Sequence, residues 1–573
     1  MAQFTAWQCG RPGGNGCSII KHAVIYQVWP RSFYDSNHDG IGDINGIRAK
    51  LPHIRSLHCD AIWLSPVYAS PNDDFGYDIS DYCSINPEFG TMEDLEALIQ
   101  EADALGMKII MDLVVNHTST SHEWFQKALK DPSSPYRDYY IFRKGTETQA
   151  PNNWISFFGG SAWQKAEQDM WYMTLYTKTQ ADLNWTNPAV IDEIVKITDF
   201  WLEKGIAGYR MDTINTIDKI EGLPSKNPEK KDLQFADDYV IDRPNVRPYL
   251  QQLRDRSLSR YDSFALGEGV MTTEASVRNL CGPDGPLDMM FHFDLATLGY
   301  GDLGKYDFRK GYIITDRMIK KVTRKWQQEQ MRDHTWIGNY LSNHDHKRHL
   351  DRFGNDRKYR VVSAKMLALY NFTLIGTPLI YQGEEIGMTN PKLKKSDWRD
   401  YEAFSSSKEM TNMLHVPAFL AEKITNFVDR DNARTPVQWN SHQYAGFSDH
   451  EPWICVNPDY LEWNVESQEK QSDSILNFYR RISRIHHEHE CLVTGSWSEL
   501  LETHPHVLAY LRKGEAETAL VILNLSGFCQ KIKVPEACVS NVRSALSNYE
   551  TRTIEAQMRL KPYEAHLWFL NGN

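Results

Sequence analysis

The sequence of 573 residues contains no uninterrupted run of 18 apolar residues, the length that a membrane-spanning helix requires. Its first ten residues carry neither a basic stretch nor an apolar stretch, so no secretory signal is visible. These absences exclude membrane-embedded and classically secreted proteins from the expected classes. We therefore expect a protein that works in the cytoplasm and has no membrane partner.

Positive charge and cysteine are also scarce. The chain has 63 Lys and Arg against 75 Asp and Glu, which gives a net charge of −12 and argues against binding of nucleic acid through its phosphates. The nine cysteines show neither CxxC pairs nor zinc-ligand spacing, so we expect reduced, buried thiols. Cys9 and Cys17, which flank a Gly-rich stretch, are the one pair that could form a disulfide.

Aromatic residues, in contrast, are abundant. Trp, Tyr and Phe make up 12% of a chain whose hydrophobic fraction of 41% and charged fraction of 24% are ordinary for a globular protein. The rings either fill a large core or line a cleft in which the apolar faces of a ligand stack. The length predicts roughly three or four domains, unless an α/β barrel takes about 250 residues by itself.

Eight short apolar runs, each followed by a polar residue, Gly or Pro, recur along the first two-thirds of the chain. They occupy residues 23–30, 60–66, 107–117, 206–212, 263–269, 288–294, 335–343 and 377–383. Runs this continuous are typical of strands buried on both faces. Helical patterns lie between several of them, most clearly at residues 91–106, where Thr91 and Asp94 form a capping box. The alternation predicts an α/β protein built on a (β/α)₈ TIM barrel.

Three segments depart from this alternation. Residues 118–187 are too many for a loop and predict an inserted subdomain after the third strand. The polar, irregular residues 390–450 predict a lid over the barrel. From residue 490 to 573 the pattern becomes one of short alternating strands, which predicts a C-terminal antiparallel β-sandwich. The barrel itself then comprises residues 1–117 and 188–489.

The ends of the predicted strands carry the side chains that suggest chemistry. In a barrel of this kind, reactive residues belong at the carboxyl ends of the strands. These ends present His117, Arg210, Asp212, Glu268, His344 and Asp345. Capping of the following helices would explain one such carboxylate, but not carboxylates at three strand ends together with two His. The set suits glycosidic cleavage, in which one carboxylate attacks and one carboxylic acid protonates the leaving oxygen.

Several sequence motifs carry a resemblance to a known family. DLVVNH (112–117), GYRMD (208–212), GEG (267–269) and SNHD (342–345) resemble the four short conserved regions of the α-amylase superfamily of glycoside hydrolases. QADLNW (180–185) is similar to the extra region of its oligo-1,6-glucosidase and α-glucosidase subgroup. Further similarities to that subgroup are IYQVWPRSF (25–33), GYDISDY (76–82), FFGGSAW (157–163), YQGEEIGM (381–388) and RDNARTPVQW (430–439). The resemblance covers nearly the whole chain.

The resemblance implies roles for the three carboxylates. Asp212 is then the catalytic nucleophile, Glu268 the general acid/base, and Asp345 the third carboxylate, which grips sugar hydroxyls. Arg210 lies two residues before Asp212 on the same strand, so both side chains point the same way and the guanidinium can keep the carboxylate ionised. Glu268 must stay protonated until it is used, which requires an apolar or anionic setting that raises its pKa.

The resemblance also implies a pocket for one terminal glucose. The residues similar to those that hold this sugar in the family are Tyr77, Asp78, His117, Phe158, His344 and Arg434. We predict that Arg434 pairs with Asp78 and closes one end of the pocket, although Arg434 could instead lie on the surface of the lid. A closed pocket predicts an exo-acting α-glucosidase that releases glucose from the non-reducing end of a disaccharide or small oligosaccharide. The resemblance also implies a retaining mechanism, and we expect a monomer.

Residues 35–43, DSNHDGIGD, place oxygen ligands at alternate positions with Gly at the sixth, as in the first half of an EF-hand loop. Asp35, Asn37, Asp39, Asp43 and the Ile41 carbonyl could enclose one Ca²⁺, and the subgroup commonly has a calcium ion there, far from the chemistry. A solvated acidic loop is the other interpretation. Mg²⁺ stays open as well, because sequence does not fix cavity size. No organic cofactor is expected.

Thr213 directly follows the predicted nucleophile. In the subgroup, Val at this position tends to accompany α-1,6 preference, whereas Ala or Thr accompanies α-1,4 activity. We therefore expect maltose-type α-1,4 bonds to be favoured without excluding α-1,6 bonds. Such a change of one methyl for a hydroxyl is worth about 1–3 kcal/mol in discrimination.

Other activities of the same subgroup compete with hydrolysis. Lys347, beside the pocket rim, leaves sucrose isomerases and sugar-phosphate hydrolases open as alternatives. Transglucosylation results if a second sugar intercepts the covalent intermediate. A more distant alternative is a non-catalytic relative that serves as a subunit of amino-acid transporters. Those relatives carry a membrane span and lack part of the carboxylate set.

Overall fold

The computed structural model describes residues 18–230, 232–261, 263–301, 304–333, 335–412, 414–539 and 542–570. The suggested Cys9–Cys17 pair lies outside these residues. The cysteines within them are free thiols.

Eight parallel strands form the central sheet. They are β1 (Ile25–Val28), β2 (Ala61–Leu64), β3 (Lys108–Leu113), β4 (Gly208–Met211), β5 (Phe264–Gly267), β6 (Met289–Met290), β7 (Gly338–Asn339) and β8 (Thr377–Tyr381). Their order in the sheet is β6-β5-β4-β3-β2-β1-β8-β7. A parallel bridge between Met290 and Ile337 joins the two outer strands. The predicted (β/α)₈ barrel is therefore confirmed, with each strand inside its predicted run.

Helices follow the strands and surround the sheet. They are α1 (Ile44–Ser56), α2 (Met92–Ala104), α3 (Pro188–Glu203), α4 (Val246–Arg256), α5 (Glu274–Cys281), α6 (Asp316–Asp333), α7 (Arg360–Thr373), α8 (Tyr401–Asn412), α9 (Ala418–Val428) and α10 (Ile475–Glu488). Helices α8 and α9 lie in the predicted lid region. Among the described residues, no helix has both the length and the hydropathy of a transmembrane segment.

Local sequence signals explain where two of these helices begin. Thr91 caps α2 in a reciprocal capping box with Asp94, as the sequence predicts. Asp43 caps α1, because its side chain accepts a hydrogen bond from the Gly46 amide at 2.6 Å.

Strands β4 and β5 lie so close together that a Cβ atom at Gly208 would stand 2.1 Å from the Phe264 carbonyl oxygen. Only glycine allows β4 and β5 to approach at that position.

The segment between β3 and α3 carries secondary structure of its own. It contains a helix (Glu123–Lys130), a three-stranded antiparallel sheet (Phe142–Lys144, Trp163–Glu167 and Met170–Met173) and a strand pair (His117–Ser119 with Gln180–Asp182). In that pair His117 lies opposite Asp182, so the segment leaves the barrel and returns to it at the same place. This return fixes His117 at the barrel mouth.

The C-terminal region is antiparallel. Its strands are β9 (Ser496–Leu500), β10 (Val507–Lys513), β11 (Thr518–Asn524), β12 (Gln530–Lys533), β13 (Val542–Ser547), β14 (Gln557–Leu560) and β15 (Ala565–Leu570). Five of them form a sheet in the order β9-β10-β11-β15-β13, and β12 pairs with β14. Residues 490–493, where the sequence suggests the change of pattern, form a short helix that precedes the first strand.

Candidate active site

One buried guanidinium organises the carboxylates at the ends of β3, β4 and β5. The Arg210 side chain is fully buried, and its Nη1 donates to Asp112 Oδ1 at 2.5 Å and to Asp212 Oδ1 at 2.7 Å. Its Nη2 forms an ion pair with Glu268 Oε1. The period of two residues along β4 places Arg210 and Asp212 on the same side, as predicted. Asp112, which the sequence analysis did not single out, is the third partner.

Thr213 lies between the two predicted catalytic carboxyls. Its backbone is left-handed, with φ of 41°. Its Oγ1 donates to Asp212 Oδ2 at 3.2 Å, and its amide donates to Glu268 Oε2 at 3.4 Å. A β-branched residue is uncommon in this conformation, so the turn after β4 holds a strained backbone where the two carboxyls meet.

The surroundings of Glu268 keep it protonated. Burial, together with the nearby carboxylates of Asp212 and Asp345, raises the pKa of Glu268 to about 8 although Arg210 lowers it. At neutral pH the side chain therefore retains a proton that it can donate. This is the state that a general acid requires.

Asp345 has the opposite surroundings. Burial raises its pKa, but His344, Arg430 and Arg434 together lower it well below the ordinary value for aspartate. Its Oδ1 faces Arg430 Nη1 at 3.1 Å and Arg434 Nη2 at 3.3 Å, and its Oδ2 faces His344 Nε2 at 3.1 Å. Asp345 therefore remains a carboxylate over the working pH range.

Stacked rings form one wall of the site. The His344 ring lies parallel to Tyr77, with 5.2 Å between centroids, and also stacks on Trp29 at 5.0 Å. Gln27 Nε2 lies 2.8 Å from His344 Nδ1 and fixes the imidazole orientation. The Tyr77 hydroxyl is buried and has no hydrogen-bond partner in the described part of the chain. This wall offers a flat apolar surface and a free polar group, as a sugar ring requires.

The other predicted contact residues also lie around this mouth. His117 Nε2 is 3.0 Å from the Tyr77 carbonyl oxygen, which ties the strand that enters the inserted segment to the ring wall. Phe158 lies under Arg430, with 5.2 Å between the guanidinium carbon and the ring centroid.

The predicted pair between Asp78 and Arg434 is wrong. The Asp78 carboxylate turns back into its own loop and accepts hydrogen bonds from the Ser70 hydroxyl at 2.9 Å and from the amides of residues 73 and 74 at 3.0 Å. Arg434 Nε donates to the His344 carbonyl oxygen at 3.0 Å. The loop that contains Asp78 satisfies this carboxylate locally, so Arg434 instead holds the loop after β7.

A different pair joins the lid region to the loop that contains Asp78. Arg430 Nη2 lies 3.2 Å from Asp74 Oδ1, while its Nη1 contacts Asp345. Gln180 Nε2 donates to the other Asp74 oxygen at 3.1 Å. Sequence reasoning missed Asp74 and Arg430, although each lies four residues before the residue that was chosen, and Arg430 begins the quoted motif RDNARTPVQW. Arg430 lies in the same motif as Arg434, whereas Asp74 precedes the motif GYDISDY that contains Asp78.

The predicted metal loop is closed by its own hydrogen bonds. Asp35 accepts the amides of residues 37, 38 and 40, Asp39 accepts the Ile41 amide, and Asp43 accepts the Ser36 amide and caps α1. Across the described ranges, no group of three or more His, Cys, Asp or Glu side chains is arranged to hold a metal ion. The oxygens have the right chemistry for Ca²⁺, but the carboxylates as folded do not converge on one point.

Comparison with known proteins identifies the family of this chain. The family model described as "Alpha amylase, catalytic domain" matches residues 27–495. The oligo-1,6-glucosidase of Bacillus cereus is 44% identical over 558 residues, covering 96% of this chain and 99% of that protein.

Solved structures are similar over nearly the full length. The trehalose-6-phosphate hydrolase of Bacillus licheniformis has a TM-score of 0.89 and 40% identity, over 97% of this chain and 100% of that one. The isomaltulose synthase of Klebsiella sp. LX3 has a TM-score of 0.91 and 36% identity, over 96% and 99% of the two chains.

Proposed function

Because the chain belongs to the α-amylase family of glycoside hydrolases, we propose that it is a retaining, exo-acting α-glucosidase. It releases glucose from the non-reducing end of short α-glucosides. The observation that carries the proposal is the junction at Arg210, where Asp212 and a protonated Glu268 share one guanidinium. A nucleophilic carboxylate and a carboxylic acid beside the same glycosidic bond are the requirement of retaining hydrolysis.

The reaction follows from the roles of Asp212 as nucleophile and Glu268 as proton donor. Asp212 attacks C1 while Glu268 gives its proton to the glycosidic oxygen, so the C1–O bond breaks and the leaving sugar departs as an alcohol. The Glu268 carboxylate then takes a proton from water, the hydroxide oxygen bonds to C1, and the bond from C1 to Asp212 breaks. The two inversions together retain the α configuration.

We propose that ion pairs close one end of the sugar pocket, which supports exo action. Asp345 and Asp74 both contact Arg430 there, at 3.1 and 3.2 Å. Carboxylate and guanidinium groups suit the hydroxyls of a terminal glucose, because each can accept or donate in pairs. A chain that continued beyond this sugar would meet the ion pairs.

Product analysis tests the proposal directly. We expect release of α-glucose, observed by NMR before mutarotation, and time courses on maltose, isomaltose, sucrose and trehalose 6-phosphate that identify the preferred substrate. Efficient internal cleavage of long amylose would contradict exo action. An initial β-glucose product would contradict the retaining mechanism.

We propose further that α-1,4 bonds are favoured, on the ground that Thr213 Oγ1 lies beside the nucleophile. A hydroxyl there can hydrogen-bond the acceptor sugar or a water molecule. The names of the similar enzymes cover a broader range of substrates, since they include oligo-1,6-glucosidase and trehalose-6-phosphate hydrolase.

A sucrose isomerase or transglucosylase is the second candidate, supported by the likeness to isomaltulose synthase. In that case the covalent glucosyl group passes to a sugar hydroxyl instead of to water. Lys347, which raised this alternative, is nearly buried and lies 3.3 Å from the centroid of the Phe427 ring in the lid. Accumulation of isomaltulose or trehalulose from sucrose would favour this candidate over hydrolysis.

We also propose that residues 35–43 bind a structural Ca²⁺. Their alternating oxygen ligands support this proposal, and binding would require the carboxylates of Asp35, Asp39 and Asp43 to turn toward a common centre. Excess chelator should then lower the melting temperature, because a ligand of the native state stabilises it by mass action. Activity at low temperature should change little. An unchanged melting curve together with no metal in elemental analysis would contradict the site.

A monomer in the cytoplasm completes the proposal. The free thiols of the described cysteines agree with a reducing compartment. Light scattering in solution and fractionation of the source cells would test the two statements separately.

A further inference from the structure

Arg430 makes its shortest contacts with a lid residue outside the sugar pocket. Its Nε donates to Asp400 Oδ2 and its Nη2 to Asp400 Oδ1, both at 2.6 Å. The contacts of Arg430 with Asp345 and Asp74 are longer, at 3.1 and 3.2 Å. The Asp400 side chain is only 1% exposed. One edge of the guanidinium is therefore fully engaged by Asp400 in a bidentate pair.

The peptide segments around this pair hold each other in return. The amides of Arg399 and Asp400 donate to Asp431 Oδ2 at 2.6 and 3.0 Å. Asp400 Oδ1 also accepts the Glu402 amide at 3.1 Å, at the start of helix α8. The segment before α8 and the segment after α9 are thus clamped together by two reciprocal sets of hydrogen bonds.

These hydrogen bonds restrict the orientation of the Arg430 guanidinium. With Nε and one N–H of Nη2 bound to Asp400, the planar guanidinium can direct only its remaining N–H groups toward the pocket. Those groups face Asp74 and Asp345. If the guanidinium rotated, it would lose its contacts with both Asp74 and Asp345, because the positions of its nitrogens are fixed relative to one another.

We propose that Asp400 is a positioning residue, which aims Arg430 at Asp345 and Asp74 and so makes the start of helix α8 part of the closed end of the sugar pocket. The inference rests on the proposed function, since it concerns the pocket for a terminal glucose. Asp400 acts only through Arg430. Its removal should therefore weaken binding of the sugar more than it slows the chemical step at Asp212 and Glu268.

The first experiment measures Asp400→Asn with p-nitrophenyl α-D-glucopyranoside. The amide keeps the size but can accept only one of the two hydrogen bonds, and its NH₂ group opposes the second guanidinium nitrogen. We expect KM to rise about 10-fold or more and kcat to fall by less than that, because hydrogen bonds to charged groups are worth about a factor of ten or more in binding. Competitive inhibition by glucose should weaken in parallel.

A double-mutant cycle separates positioning from general structural support. In the Arg430→Ala background, adding Asp400→Asn should change kcat/KM less than about twofold, because the residue through which Asp400 acts is gone. Equal losses in the wild-type and Arg430→Ala backgrounds would overturn the proposal. So would an Asp400→Asn enzyme with unchanged KM.

Two further variants serve as a control and as an alternative to Asp400→Asn. Asp459→Asn likewise removes a carboxylate from an arginine, since Asp459 contacts Arg360 at 2.6 Å, and it should leave KM unchanged because neither residue contacts Arg430, Asp345 or Asp74. If Asp400→Asn does not fold, Asp400→Glu keeps the charge and displaces the fork by one methylene, and a rise in KM is still expected. A wild-type protein with no activity on the aryl glucoside would contradict the proposed function, whereas an active wild type with an unaffected Asp400 variant contradicts only this inference.

Discussion

The two ends of the sugar pocket hold carboxyl groups in opposite protonation states. At the barrel end, Arg210 is shared by Asp112, Asp212 and Glu268, and burial raises the pKa of Glu268 to about 8. At the lid end, burial also raises the pKa of Asp345, but His344, Arg430 and Arg434 lower it well below its ordinary value.

The comparison shows what decides the chemistry of a carboxyl group in this pocket. Desolvation acts on both groups, so burial alone cannot explain why one keeps its proton and the other loses it. The immediate partners differ: three carboxyls share one arginine at the barrel end, whereas Asp345 contacts two arginines. Glu268 therefore keeps its proton beside neighbouring acids, and Asp345 remains an anion beside two cations.

The largest expected effect comes from breaking the barrel end at its nucleophile. Asp212→Asn should lower kcat by at least about 10⁴-fold, because an amide oxygen does not form the covalent intermediate. The melting temperature should stay within a few degrees, since the amide can still accept from Arg210. Wild-type turnover in this variant would refute the assignment of Asp212.

Removing the proton donor should have the next largest effect. Glu268→Gln should slow hydrolysis of maltose by about 10²–10⁴-fold and spare an aryl glucoside, whose leaving group needs no proton. In the wild type, kcat/KM should begin to fall near pH 8 on the basic side and drop about tenfold per pH unit above it, because Glu268 loses its proton there. This basic limb should be absent from the Gln variant with the aryl substrate. A decline with rising pH that begins near pH 5 in the wild type would contradict the protonated state.

The lid end is tested by comparing a substitution of Arg430 with one of Asp78, the residue that the sequence predicted at this end of the pocket. Arg430→Ala should raise KM by about 10²-fold, because it removes the cation that faces both Asp345 and Asp74. Asp78→Asn should leave KM within about threefold and lower the melting temperature, since Asp78 only ties its own loop. A large rise in KM for Asp78→Asn would instead support the predicted pair between Asp78 and Arg434.

The smallest effect concerns the residue between the two catalytic carboxyls. Thr213→Val should shift the maltose-to-isomaltose ratio of kcat/KM toward isomaltose by about 10-fold, because the hydroxyl beside Asp212 is replaced by a methyl group. Kinetics on the two disaccharides measure the ratio. A wild-type enzyme that prefers isomaltose several-fold would contradict the interpretation of Thr213 and leave the catalytic assignments intact.

Much of the architecture could be predicted because its signals are local. Each barrel strand is a short apolar run that ends at a polar residue, and the two-residue period of a strand places Arg210 and Asp212 on one side whatever surrounds them. The capping box at Thr91 is likewise complete within four residues. Such features depend on neighbours in the chain, so the sequence reports them directly.

The pocket's closed end could not be predicted in this way. Asp74 and Arg430 are 356 residues apart, and nothing in the sequence around Asp74 shows that Asp78, four residues later, turns into its own loop. The same holds for the metal loop, where the oxygen pattern is clear but the hydrogen bonds that occupy it depend on the fold. Choosing among nearby charged residues requires the positions of distant segments.

The sequence by itself determined the barrel, the order of its strands and the three carboxylates at their ends, because strand periodicity and chain order place these groups at one mouth. Only the tertiary structure decided that both Arg430 and Arg434 face Asp345, and that Asp74 rather than Asp78 contacts an arginine of the lid region. Those outcomes depend on electrostatic interactions over a few ångströms between segments that are far apart in the chain, and packing alone sets these distances.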